Sequence, residues 1–324
     1  MDGIAILGKN ERHDLFVDSA TTLQTTPAVI EKDFWVTWIL SKIFQDPFLS
    51  KHLVFKGGTS LSKVYGLIER FSEDIDLVLN WYLITDENPE DDRSKTKQAK
   101  LNQQLVNDAD VYIKNTLFQH LSAQTGDVCE LVAGQELCVI NVNYPSIFAD
   151  EYLSPNIKLE IGPLASMLPS MTQDVSSYVA TTHAPLFKQT HCPVSTIKAE
   201  RTFWEKILIL HQEHHRPEHT VQPKGYSRHF YDVAKMAGSS IRQSALKDSQ
   251  LKDDVINFKQ RYYPRSWARY DLAKLGEIKL VPQAHVLKAT QSDYMAMKEM
   301  FFGDVPTFDV LIETLEQLEG DINT

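Results

Sequence analysis

Apolar and polar positions alternate differently in the two halves of this chain. The first half mixes period-two and helical patterns, and the second is helical. Leu53, Val54 and Phe55 form a short apolar run that predicts a strand and stops at Gly57-Gly58. Leu61, Val64 and Tyr65 then recur at helical spacing, which predicts a helix N-capped by Thr59 or Ser60. A second strand follows, with Ile75, Leu77 and Leu79 on one face and Asp74 and Asp76 on the other.

Around this centre the remaining elements fall into order. Thr25-Thr26-Pro27 starts a helix whose apolar face carries Ile30, Phe34, Trp38 and Ile39, with Glu31-Lys32-Asp33 as a charged face beside it. Residues 85–97 are dense in Asp, Glu, Asn, Pro and Lys and read as an exposed loop. A helix over 98–122 buries Leu101, Leu105, Ile113, Leu117 and Leu121, and strands are expected over 128–132, 137–144 and 157–161. The stretch 162–193 holds four prolines and reads as a connector with at most short elements. From Ser195 or Thr196 onward helices dominate, one over 198–215 and another over 226–234 with Arg228 and Asp232 four apart on its face.

The charged residues on those faces carry the chemistry. Two glycines let backbone approach an anion closely, and the first turn of the following helix offers free N–H groups, so Gly57, Gly58, Thr59 and Ser60 read as a phosphate cradle. Paired aspartates on one strand face repel each other unless a cation sits between them. Taken singly, the glycines also fit a tight turn and the aspartates a solvated strand edge. Fourteen residues separate Thr59 from Asp74, enough for one short helix and a turn, so cradle and carboxylates can share one rim of a sheet.

Composition narrows the class. A chain of 324 residues can hold one large or two ordinary domains, and 43% hydrophobic with 23% charged residues is a soluble globular balance. No apolar run reaches membrane-spanning length and Met1-Asp2-Gly3-Ile4 lacks signal-peptide character, so a cytoplasmic protein with no membrane partner is expected. Cys129, Cys138 and Cys192 show no metal-ligand spacing and read as reduced, buried thiols. A formal net charge of −10 argues against non-specific coating of nucleic acid but not against a local basic groove. Ser62-Lys63 fails as a P-loop because no glycine precedes the lysine and no Ser or Thr follows it. His211, His214, His215 and His219 do not form a His-Glu-x-x-His zinc site, and no nucleophilic hydrolase motif is present.

Gly57-Gly58-Thr59 with Asp74-x-Asp76 resembles the signature of DNA polymerase β-like nucleotidyltransferases. More narrowly, Gly-Gly-Thr-x-Leu followed by Arg70-x-Ser72-x-Asp74-Ile75-Asp76-Leu77 resembles the AbiEii/AbiGii toxins of type IV toxin–antitoxin and abortive-infection systems. The resemblance extends over nearly the whole chain, including Asp293-Tyr294-x-x-Met297 and Met300-Phe301-Phe302-Gly303. It implies an α/β (α+β) fold: residues 1–195 as a nucleotidyltransferase domain with a small mixed sheet, and 196–324 as an α-helical domain completing the active-site cleft. It also implies transfer of a nucleotide from a nucleoside triphosphate to RNA, a tRNA 3′ end among the candidates, with growth arrest or phage defence as outcome and a cognate antitoxin as partner.

By the same resemblance Asp74 and Asp76 hold two Mg²⁺ or Mn²⁺ ions, and Glu160 supplies the third carboxylate from an adjacent strand and helps deprotonate the attacking hydroxyl. Arg201-Thr-Phe-Trp-Glu-Lys206 followed by Arg228-x-x-x-Asp232 resembles the family's further Lys and Asp motifs, with Lys206 on the triphosphate, Asp232 orienting it, and Arg201 and Arg228 nearby. Lys32 joins the nucleotide neighbourhood on the same ground. Removing Lys206 is then expected to leave the melting temperature almost unchanged. Lys259 to Lys279 carries six Lys or Arg residues interleaved with Tyr262, Tyr263, Trp267 and Tyr270, either an RNA-binding ridge or a helix packed by its rings. Two rival readings keep these motifs: a transferase that modifies a protein or small molecule, and a catalytically inactive binding module.

Overall fold

In the computed structural model, which describes residues 1–150 and 153–324, β1 (Leu53–Lys56) and β2 (Ile75–Leu79) run antiparallel through Leu53↔Leu79, Phe55↔Leu77 and Lys56↔Asp76. β3 (Glu130–Ala133), β4 (Val139–Asn143) and β5 (Ile157–Gly162) extend the sheet on the β2 side, with β5 parallel to β2. On the other side β7 (His191–Ile197) runs parallel to β1 through Phe55↔Thr196, and β6 (Ser170–Ser176) closes the edge. The result is a mixed α/β fold with a seven-stranded sheet in the order β3-β4-β5-β2-β1-β7-β6.

β6 and β7 correct the expected connector over 162–193. Cys192, Val194 and Thr196 are buried in strict alternation, a strand signal broken in the sequence by Pro193. β6 is a wet edge strand in which only Val175 is buried, so it has almost no apolar period to read.

The helix Pro27–Gln45 is capped by Thr26, whose hydroxyl accepts from the Val29 N–H at 3.3 Å. Phe34, Trp35 and Trp38 meet edge to face in the core it covers. Its charged triplet is not a solvated face, because Glu31, Lys32 and Asp33 are all buried. Glu31 accepts from the backbone N–H groups of Ile147 and Phe148, and Asp33 pairs with Lys63 and accepts from the Tyr178 N–H at 2.7 Å.

The long helical run covers Lys95–Tyr112 and Phe118–Thr125, joined by a π turn over Ile113–Leu117. Its stripe Leu101, Leu105, Ile113, Leu117 and Leu121 is wholly buried. A spacing of four outruns the 3.6-residue α period, and the wider π turn brings the stripe back over the core.

The chain forms two compact units. One is Met1–Val64 with Phe71–Ile197, and the other is Tyr65–Arg70 with Lys198–Thr324. A single boundary near residue 195 therefore misses the strap Tyr65–Arg70, which belongs with the C-terminal helices. In that unit Phe302 N–H donates to the Glu69 carbonyl at 2.9 Å, Glu69 N–H donates to the Tyr231 hydroxyl at 3.2 Å, and Lys235 pairs with the Glu69 carboxylate at 2.7 Å. No helix among the described residues is long and apolar enough to cross a membrane.

Candidate active site

The carboxylates are brought together by strand register. Parallel pairing of β2 with β5 sets Ile75 beside Leu159 and Asp76 beside Glu160, so the apolar pair faces the core and the acidic pair the other side. Asp74 precedes β2 by one residue and has the parity of Asp76. Its carboxyl is pushed up to about 6, first by burial and then by the charges of Glu160, Glu73 and Asp76. Lys32 lies 3.0 Å from Glu73, and Lys158 lies 2.8 Å from Glu160.

A crowd of hard oxygen donors around Asp74 fits a divalent cation. Among the described residues no three His, Cys, Asp or Glu side chains form a ready-made cage.

Gly57 sits directly on this cluster. Its φ is +83°, a conformation that side chains avoid, and a Cβ there would stand 1.9 Å from the Asp76 Oδ2. The helix begins at Gly57 itself, so neither Thr59 nor Ser60 is its N-cap. Thr59 is fully buried and donates to the Asp74 carbonyl, with its hydroxyl also 2.9 Å from the Ser72 Oγ, while the Ser60 hydroxyl donates to the Gly57 carbonyl at 2.8 Å. Both hydroxyls are thus spent holding the turn against the start of β2, and the groups left for an anion are the N–H donors of the first helical turn. Gly57→Ala is expected to displace Asp76, to abolish transfer and to cost at least about 1 kcal/mol of stability. Wild-type transfer rates with an unshifted denaturation curve would count against this packing.

Lys32 is sealed in the same unit, donating to the carbonyls of Ser154 and Asn156 and pairing with Glu73. Burial lowers its pKa while Glu73 and Asp74 raise it.

The second cluster lies in the helical unit. Lys206 from the helix Ala199–His214 and Asp232 from the helix Ser227–Ala237 meet at 2.7 Å, both buried. Arg70 from the strap donates to both oxygens of Asp232, Nε to Oδ1 at 2.7 Å and Nη2 to Oδ2 at 2.8 Å. The His229 Nδ1 lies 3.4 Å from the Lys206 ammonium. Burial and the neighbouring Lys206 push the His229 ring well below its usual range, so it is neutral and accepts. Asp232 is held below its ordinary range because Arg70 and Lys206 outweigh its burial.

Asp232 is buried, and Arg228, four residues before it, is exposed. Arg201 is buried elsewhere in the unit, bonded to Glu205 at 3.1 Å with its guanidinium 5.4 Å from the Phe258 ring centre.

The sequence profile of the nucleotidyl transferase AbiEii toxins of type IV toxin–antitoxin systems matches residues 38–314. The chain belongs to this family. It is a nucleotidyltransferase. Among solved structures it is similar to MenT4, a nucleotidyltransferase toxin of Mycobacterium tuberculosis H37Rv, at 13% identity over 98% of both chains with a TM-score of 0.44. It is also similar to JHP933 of Helicobacter pylori, at 15% identity over 91% of this chain and 96% of that one with a TM-score of 0.35. Comparison with curated proteins gives no match.

For an AbiEii chain, two neighbours of the predicted site residues escaped the reading: Arg70, which holds Asp232, and Glu73, which faces Asp74. Arg70 stands inside the quoted motif, but its partner is 162 positions away.

The basic and aromatic stretch resolves into packing and surface. Tyr262 and Tyr270 are buried, and the Tyr270 hydroxyl donates to Gln212 at 3.1 Å. Trp267 lies under Arg216 and Arg265, and Lys259 lies 4.8 Å from the exposed Tyr263 ring. Arg269 pairs with Asp271, and Lys279 with Glu319.

His211 and His214 are bonded into the packing of the helical unit. His211 lies 2.9 Å from the Arg269 carbonyl and accepts from the Lys279 N–H, and the His214 Nδ1 lies 2.6 Å from the Val281 carbonyl. The three cysteines are buried and unbridged.

Proposed function

We propose that this AbiEii toxin transfers a nucleotide from a nucleoside triphosphate to an RNA acceptor, with a tRNA 3′ end the first to test, and that a cognate antitoxin relieves the resulting growth arrest. The observation that carries the reading is the pairing of Asp76 with Glu160 across β2 and β5, beside an Asp74 whose carboxyl is crowded by like charge. Asp74, Asp76 and Glu160 are the residues to hold two Mg²⁺ or Mn²⁺ ions. Such ions supply Lewis-acid stabilisation of charge at the phosphates. The Gly57-Gly58 turn binds β- and γ-phosphate oxygens through backbone N–H groups, and Lys206 is a cation for a polyphosphate in its own unit. The acceptor hydroxyl attacks the α-phosphorus, its proton passes to Glu160, and pyrophosphate leaves.

Incubation with each labelled nucleoside triphosphate and total RNA is expected to label RNA, and Asp76→Asn to remove the label. Label found only in protein or in small molecules would replace the RNA acceptor with that class. If RNA lies along Lys259–Lys279, replacing Arg261, Arg265 and Arg269 by Gln weakens binding and flattens its salt dependence. Each lost phosphate contact lowers the slope by about one. An unchanged slope would move the acceptor away from this stretch.

A further inference from the structure

One buried carboxylate in the helical unit faces two cations. Asp232 has both oxygens occupied by the fork of Arg70, and Oδ2 is shared with the Lys206 ammonium. A bidentate guanidinium–carboxylate pair is complete in itself, in charge and in geometry. The sum over Asp232, Arg70 and Lys206 is therefore one positive charge, carried in a buried setting, with neutral His229 adding none. The ammonium donates to Asp232 and His229, which uses two of its three N–H groups. Lys206 would otherwise be neutralised by its own orienting carboxylate and have little to offer an anion.

We propose that Arg70 is a positioning residue for Lys206: by taking both oxygens of Asp232 it satisfies that carboxylate and leaves the lysine's charge unspent for a polyphosphate. This rests on the reading of Lys206 as a phosphate contact. The strap geometry supports it independently, since Arg70 bridges to Phe301 and its neighbour Glu69 is bonded to Phe302, Tyr231 and Lys235, which fixes the fork in place. The charged and titratable groups around the ammonium are Asp232, Arg70, Arg228 and His229. Burial, Arg70 and Arg228 lower its pKa and Asp232 raises it.

The test follows Lys206 by NMR of lysine labelled at the ε-carbon, assigned with Lys206→Arg, with no nucleotide present. In the wild type its titration midpoint is expected below that of the surface lysines, and in Arg70→Gln it is expected to rise. Inorganic tripolyphosphate is the ligand probe, and its affinity is expected to fall at least about tenfold in Arg70→Gln. Arg70→Lys keeps the charge without the fork, so the Lys206 midpoint is expected to move above the wild-type value; a wild-type midpoint in the folded lysine variant would overturn the role of the fork. It remains diagnostic if the glutamine variant does not fold. A wild-type midpoint at or above the surface value, or an unchanged midpoint in folded Arg70→Gln, would overturn the proposal. Failure of tripolyphosphate to perturb Lys206 in the wild type, with the midpoint shift present, would instead overturn the assignment of Lys206 to phosphate.

Discussion

Asp76→Asn is expected to lower nucleotidyl transfer by at least about a hundredfold while the fold survives. A Lewis-acid metal contributes several kcal/mol, at about 1.4 kcal/mol per decade of rate. Asparagine has the shape of aspartate, so the contact with Gly57 and the β1–β2 pairing at Lys56↔Asp76 persist. What disappears is one charge. Since Asp76 is among the groups that push Asp74 up, the Asp74 carboxyl should titrate lower in the variant.

Metal dependence gives a second readout. The folded pKa of Asp74, about 6, lies above its ordinary 3.8, so the folded state holds the proton more tightly than the unfolded chain. Stability from this group therefore falls as pH rises through that window, and a cation that binds the ionised form restores it above about 6. Added Mg²⁺ should raise the wild-type melting temperature at pH 7.5 and have little effect at pH 4. In Asp76→Asn the Mg²⁺ shift should shrink. Full activity of Asp76→Asn in Mg²⁺, or a Mg²⁺ shift independent of pH, would remove the metal assignment.

Lys206→Ala should lower transfer by on the order of a hundredfold or more, the loss of one preorganised transition-state contact. Its burial overturns the expectation of an unchanged melting temperature. Asp232 keeps both bonds to Arg70, so the carboxylate is not orphaned, and the loss is about 1.5–3 kcal/mol, that of one charged hydrogen bond. Asp232→Ala is the harsher change, removing the carboxylate that Arg70 and Lys206 share. About 3–5 kcal/mol is expected for a broken buried pair of this kind. The double variant should lose less than the sum in both assays, because the residues act as a unit. Kinetics and denaturant titration of the three variants measure this; wild-type rates in Lys206→Ala would remove the lysine from the chemistry.

The central motif was legible because its signals are local. Ile75, Leu77 and Leu79 announce a strand by alternation, and Ile157, Leu159 and Ile161 do the same, so the face carrying Glu160 can be read before the partner strand is known. The spacing from Thr59 to Asp74 likewise bounds the turn. Long-range partners leave no such trace. Glu31-Lys32-Asp33 looks like a solvated face because the residues that bury it, such as Glu73, Ile147 and Tyr178, are far along the chain. The same holds for Arg70 and Asp232, and for β6, whose edge position lets it dispense with an apolar face. Thr59 misled as a cap for another reason: a hydroxyl after Gly-Gly fits a cap, and only the start of the helix at Gly57 and the Asp74 carbonyl beside that hydroxyl decide otherwise.

The strap Tyr65–Arg70 gives the C-terminal unit a history. Ribosomes add about 5–20 residues per second, so Arg70 leaves the exit tunnel roughly 10–30 s before Asp232, 162 positions later, exists to receive it. Until then the helical unit has no anchor for the strap, and the guanidinium waits in water. A fragment beginning at Lys198 would contain every helix of that unit after the strap, yet would carry Asp232 with Lys206 as its only partner from the triad. The later of the two units is thus completed by an earlier piece of chain, and its assembly reports that the Gly57 turn and the Asp74–Asp76 strand have already been made.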